Sequence, residues 1–254
     1  MNNKILIPLV VTILFLMMVI APFPTYAGNP YQVYFNDFDG GLIVAPGVTA
    51  ALGGITNLES VQGYAGYGFG GDFLRNDTGG DDYGGIGTPG WPTTLTLTGL
   101  PPHNSINLNF LLAIIDSWDG SEPGGCLDCH PDILTVVVDG QVVFSEAFGY
   151  NGPVFEPTEG VLLLEYTEPS LGFNPDFGEA AYDMGQNPAF DGIPHTANSL
   201  TIEWYASGDG WQGGLDESWA IENLEIIIDA SIEVDIDIKS GIKKTNHLTI
   251  RNIN

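Results

Sequence analysis

The chain has 254 residues, of which 32 are Asp or Glu and 6 are Lys or Arg, giving a formal net charge of −26. Between Gly28 and Asp235 the only basic side chain is Arg75, so phosphate-neutralising groups are absent and nucleic acid is excluded as a partner. A shell this negative repels itself unless cations or water hold its carboxylates apart. At the start, Lys4 follows two Asn, an apolar run covers 5–21, and Pro22 and Pro24 precede Thr25-Tyr26-Ala27. That order predicts a signal peptide over 1–27, no membrane span after cleavage, and export. Tyr31, Val33 and Phe35 begin a strand that ends in the acidic turn 36–41. Thr and Leu alternate over 93–97, and Ile106, Leu108 and Phe110 alternate with Asn before 111–115 turns wholly apolar. Segments 133–138 and 141–148 flank Asp139-Gly140, the signal of a two-residue type I′ hairpin. Weak strand character appears over 161–164, and strong strands over 200–205 and 219–228.

Helical periodicity is hard to find, and 34 Gly and 17 Pro are spread as punctuation between short apolar runs. The fold class is therefore all-β, a two-sheet antiparallel β-sandwich of jelly-roll type preceded by the signal peptide. One domain is expected over 28–231. From Ile232 the character changes, and Lys239, Lys243, Lys244 and Arg251 crowd the end. Segment 232–254 is read as a linker or the truncated start of a second module.

The motifs Ile114-Ile115-Asp116-Ser117-Trp118-Asp119-Gly120 and Asp216-Glu217-Ser218-Trp219-Ala220-Ile221-Glu222-Asn223 flank the hairpin. Together they resemble the signature of concanavalin-like jelly-roll domains in exported bacterial and archaeal surface proteins, over roughly the whole sandwich. The resemblance implies a noncatalytic extracellular module associated with glycan binding or adhesion.

Acidic residues gather beside the expected strand ends: Asp37 with Asp39, Asp116 with Asp119, and Asp216 with Glu217. Hard cations take oxygen ligands, so these pairs are candidate Ca²⁺ ligands, with Asp37 and Asp39 meeting Asp216 as first choice and solvated turn acids as the bland alternative. Cys126-Leu127-Asp128-Cys129-His130 has the spacing of a c-type haem attachment, for which His195, His103 or Met184 would offer a sixth ligand. The same Cys126, Cys129 and His130 also suit a small-loop disulfide or a zinc site.

Trp118 and Trp219 are expected as core anchors. Trp211, in the Gly-rich stretch 207–214, is either packed or an exposed platform for a sugar face, with Asp209 and Gln212 available to hydroxyls. Glu222 and Glu225 alternate onto what reads as a solvent-facing side. No Glu-x-Asp-x-x-Glu strand, Gly-x-Ser-x-Gly elbow or phosphate loop with its Lys is present, and catalysis is unsupported. The expectation is a secreted binding or adhesive module at the cell surface, with glycan or a surface protein as partner. A monohaem electron-transfer protein and a purely structural extracellular subunit are the alternatives.

Overall fold

The computed structural model describes residues 29–54, 57–59, 67–80, 84–120, 131–149, 154–167, 179–214 and 216–230. The expected signal peptide, the Cys126, Cys129 and His130 loop and the 232–254 tail lie outside the described residues. Among the described residues fourteen strands form two antiparallel sheets, with strand the dominant element as the alternation predicts. They are β1 (Asn29–Asn36), β2 (Ile43–Val44), β3 (Thr49–Gly53), β4 (Asn57–Glu59), β5 (Phe73–Asn76), β6 (Thr93–Thr98) and β7 (His103–Asp116). After these come β8 (Asp132–Val138), β9 (Gln141–Phe148), β10 (Leu162–Thr167), β11 (Glu179–Asp183), β12 (Ile193–Pro194), β13 (Ser199–Ser207) and β14 (Glu217–Ala230).

The larger sheet has nine strands, with β10-β11-β7-β14-β1-β2 along its main path, and the smaller has the five strands β3-β6-β13-β8-β9. Among the described strands the chain crosses between sheets at β2 to β3, β3 to β4, β5 to β6, β6 to β7, β7 to β8, β9 to β10, β12 to β13 and β13 to β14, which makes the sandwich rather than a single meander. The long strands β7 and β14 pair through the centre of the larger sheet, from Glu217↔Asp116 to Ala230↔His103. The hairpin β8–β9 turns at Asp139 and Gly140 with φ of 47° and 77°, the positive pair that a type I′ turn requires.

Between the sheets lies one main core. Alternation supplies it from Leu95 and Leu97 on β6, Ile202 and Trp204 on β13, and Ile226 and Ile228 on β14, all fully buried. A register shift in β1 between Gln32 and Tyr34 breaks the alternation, so Val33 and Tyr34 are both buried. One rim is aromatic: Trp118 meets Phe148 edge-on at 6.0 Å and Trp211 at 5.0 Å between ring centroids, geometries that the ring quadrupoles favour.

A second, smaller cluster sits on the outer face of the larger sheet. Phe69 and Phe73 pack over Ala113, Ala181 and Ala220, so the segment leading into β5 is a third layer over part of that face. Six described strands, β2 to β5, β11 and β12, go beyond those located from sequence, and two of them show why. β11, Glu-Ala-Ala-Tyr-Asp, has little intrinsic strand preference and exists through its register with β7, from Ala180↔Ile114 to Asp183↔Leu111. β5 is held in the same way between β14 and β4.

Candidate functional site

The outer face of the larger sheet carries the chemistry. Along β14 the pairing with β7 slips between Glu222 and Glu225, and Asn223 within that bulge has φ 51°. Bulges re-aim side chains, and here Asn223 and Glu225 line one open cleft of about 340 Å³ with Asn109, Asp183, Gln186 and Phe35. The cleft therefore runs crosswise over β11, β7, β14 and β1, neighbours in that order.

Its floor is tied together by amides. Asn109 Nδ2 donates to Glu225 Oε2 at 2.8 Å, and Gln32 Nε2 donates to Glu225 Oε1. Both oxygens of Glu225 are thus held by side chains on neighbouring strands. Asp183 Oδ1 accepts from Gly185 N at 3.1 Å and caps the 3₁₀ turn Met184–Gln186, which carries the exposed Gln186 to the rim. Phe35 is half-buried beside Glu225, its register partner.

The acids expected at one cation site fall into two groups. Asp37 and Asp39 occupy the turn after β1, where Asp37 Oδ1 accepts from Asp39 N at 3.0 Å and Gly41 N at 2.6 Å. Asp39 Oδ1 reaches across to accept from Asp72 N at 2.7 Å. Their partner is not Asp216 but Glu222, buried on the outer face and pushed up to about 8 by burial first and then by Asp39, Asp37 and Asp72. The alternation placed Glu222 on the correct face, but the loops cover it, so the solvent-facing reading is corrected.

The second group lies at the other end of β14, where Glu217 sits five residues before Glu222, about 16 Å along the strand. Ser117 Oγ donates to Asp216 Oδ1 at 3.2 Å, Asp116 is buried with φ 73°, and Asp119 is raised by burial and by Asp216. Beneath them Asp132 and Glu217 share a hydrogen bond and are both fully buried. Burial raises Asp132 to about 9, with Glu217 adding repulsion, and raises Glu217 to about 7. Close carboxyls out of water cannot both ionise cheaply, so they hold a proton between them. Asp132 was not singled out from sequence, because it precedes the hairpin as an ordinary polar residue.

Trp211 is fully buried, and its Nε1 donates to Thr78 O at 3.0 Å. The exposed sugar platform is corrected to a core ring. Gly79 lets the chain close over it: a Cβ there would lie 2.6 Å from Trp211 Nε1. Gln212 N donates to Glu217 Oε2 at 2.6 Å, and Gln212 Nε2 points to Glu217 Oε1 at 3.5 Å, so Gln212 serves the carboxyl pair rather than a ligand. Asp209 is exposed at the neighbouring turn. Trp118 and Trp219 are core residues, as expected.

The proposed sixth haem ligands are also occupied or enclosed. His103 Nδ1 donates to Pro101 O at 2.6 Å, and His195 Nε2 faces Asp139 Oδ2 at 3.0 Å and Ser199 O at 3.1 Å. His103 Nε2 and His195 Nδ1 are 2.6 Å apart and share one proton. Burial, with His195 alongside, pushes His103 below the usual imidazole range. Met184 is fully buried in the main core.

Among the described residues no group of three or more His, Cys, Asp or Glu side chains could hold a metal ion, and no helix is long and apolar enough to cross a membrane. No protein-family model matches the chain, and no curated protein matches it. Among solved structures it is similar to a family 11 carbohydrate-binding module from Clostridium thermocellum in complex with a β-1,3-1,4-mixed-linked tetrasaccharide. The two are 10% identical, the match covers 78% of this chain and 96% of that one, and the TM-score is 0.29.

Proposed function

We propose that the chain is an exported, noncatalytic recognition module that binds neutral glycan in the cleft across β11, β7, β14 and β1, on a frame stabilised by Ca²⁺. The observation that carries the reading is the fixed Gln32–Glu225–Asn109 network at the cleft floor. Carboxylate and amide groups aligned in advance suit vicinal hydroxyls, and pre-alignment lowers the entropy cost of binding. Phe35 and Leu111 supply apolar surface beside these groups, and a cleft of about 340 Å³ is at the small end of ligand sites, room for one or two sugar rings.

Charge selects the class of sugar. Asp183 and Glu225 in a chain of net charge −26 repel uronate or sulfate groups. The same two carboxylates are already engaged, one by amide donors and one as a turn cap, which supports a binding role over acid–base work on a glycosidic bond.

On an array of neutral and anionic glycans the exported protein is expected to retain neutral chains only. Asn109→Ala and Gln186→Ala should each weaken retention about fivefold, the loss of roughly one hydrogen bond of 1 kcal/mol. An array with no response, or retention indifferent to both substitutions, rejects the cleft and leaves the structural-subunit reading in its place.

A further inference from the structure

We propose that His103 and His195 form a clasp that opens in acid and releases segment 193–198 from the start of β7. The clasp is independent of glycan binding.

The two rings close one end of the sandwich. They are 3% and 7% exposed, their planes lie 16° apart and their centroids are separated by 4.8 Å. With His103 Nε2 and His195 Nδ1 at 2.6 Å, the rings meet end to end rather than face to face, along the line of one N–H···N bond. Such a contact holds in one protonation state. A single proton between the nitrogens makes the bond, whereas a proton on each sets two N–H groups head to head on two like charges.

The segment that His195 belongs to depends on this link. β12 pairs with β7 over two residues, Ile193↔Ile106 and Pro194↔Ser105, and Pro194 has no N–H to give. Beside it His195 N donates to Asn104 O at 3.1 Å, and Leu100 N donates to Asn198 O at 3.0 Å. The groups facing the rings are Pro101 O at His103 Nδ1, and Ser199 O with Asp139 Oδ2 at His195 Nε2. β14 places Ala230 opposite His103. Asp139 carries the charge in this set. It is exposed at the hairpin turn and also accepts from Thr201 N, so it offsets one imidazolium but not two.

Burial, opposed in part by Pro101 O and reinforced by His195, holds His103 below its ordinary 6.5. The contribution of the clasp is therefore complete above pH 6.5 and is lost as pH falls through the lower value of the fold. At the far end of β14 the Asp132–Glu217 pair depends on pH in the opposite sense. Acid thus loosens one end of the sandwich while firming the other.

The test is NMR of the full exported chain from about pH 7.5 to about pH 4.5, following the ring nitrogens of both histidines and backbone amide exchange. Both rings should change together below pH 6.5. Across the same step, after correction for intrinsic rates, the amides of His195 and Leu100 should lose protection at least about tenfold, while Ala220 in the β7–β14 ladder keeps its own. His103→Gln, which puts a non-titrating amide opposite His195, should abolish the step. Rings that titrate independently, unchanged protection at His195 and Leu100, loss at Ala220 in parallel with them, or a step that persists in His103→Gln each overturns the clasp. If circular dichroism shows His103→Gln misfolded, His195→Gln replaces it, read at Leu100: a vanished step supports the clasp and a retained one overturns it.

Discussion

Trp118→Ala is expected to destabilise the protein by about 4 kcal/mol, the usual cost of removing a fully buried large aromatic ring. Trp118 has no exposed surface, its Nε1 donates to Ser218 O at 2.8 Å, and its ring contacts both Trp211 and Phe148 edge-on. Truncation removes the contacts on two sides and leaves a carbonyl without its donor. In a domain of this size the melting temperature should fall by roughly 8–16 °C. Trp118→Phe should cost less, about 1–2 kcal/mol, because it removes the hydrogen bond and part of the ring but keeps most of the volume. Thermal unfolding of the three proteins measures both. A Trp118→Ala melting temperature within a degree or two of the parent would show that this rim is not part of the cooperative core.

The second large effect is a dependence on pH set by the Asp132–Glu217 pair. Both groups titrate higher in the fold than in the unfolded chain, at about 9 against 3.8 and about 7 against 4.5. The native state therefore retains protons that the unfolded state has already released, so its stability is greatest below about pH 4 to 5 as far as this pair is concerned. Stability then declines as pH rises through 7 and toward 9. In chelator-containing buffer the melting temperature should fall between pH 5 and pH 9. Asp132→Asn mimics the protonated acid, accepting from Asp119 N and donating to Glu217. It should come closest to the parent near pH 4, where the unfolded acid still holds much of its proton, and exceed it near pH 9 by at least about 3 °C, the shift that 1 kcal/mol produces in such a domain. Parallel curves for the two proteins would mean that the pair is not the source of the slope.

The elements read correctly from sequence are those whose burial follows strand period. β6 and β13 alternate cleanly, β7 does so over 106–112 and β14 over 222–229, and the Asp139-Gly140 hairpin carries its own turn chemistry. What escaped depends on contacts between distant segments. The stretch before β5 has no periodicity, yet Phe69 and Phe73 lie on the outer face of the larger sheet, part of the cover that turns Glu222 from a surface acid into a buried one. Trp211 was ambiguous because glycine signals a loop without saying whether the loop is open, and here Gly79 gives close approach instead of exposure. His103 and His195 are 92 residues apart in sequence, each beside a proline, and only the β12 pairing with β7 brings them together. Asp37 and Asp39 were recognisable as acids in a tight turn. Their partners Asp72 and Glu222 were not, since neither local spacing nor charge marks them among so many carboxylates.

The pairing of β1 with β14 has a consequence for how the domain meets tension. Asn29 lies opposite Ala230, and the ladder runs from there to Asn36 opposite Leu224. A pull on these two ends would peel the strands apart rung by rung, like opening a zip from its loose end, rather than shearing the whole ladder at once. The peeling front would then arrive at the turn holding Asp37 and Asp39, where the bond from Asp72 N to Asp39 Oδ1 would act as the stop at the end of the zip.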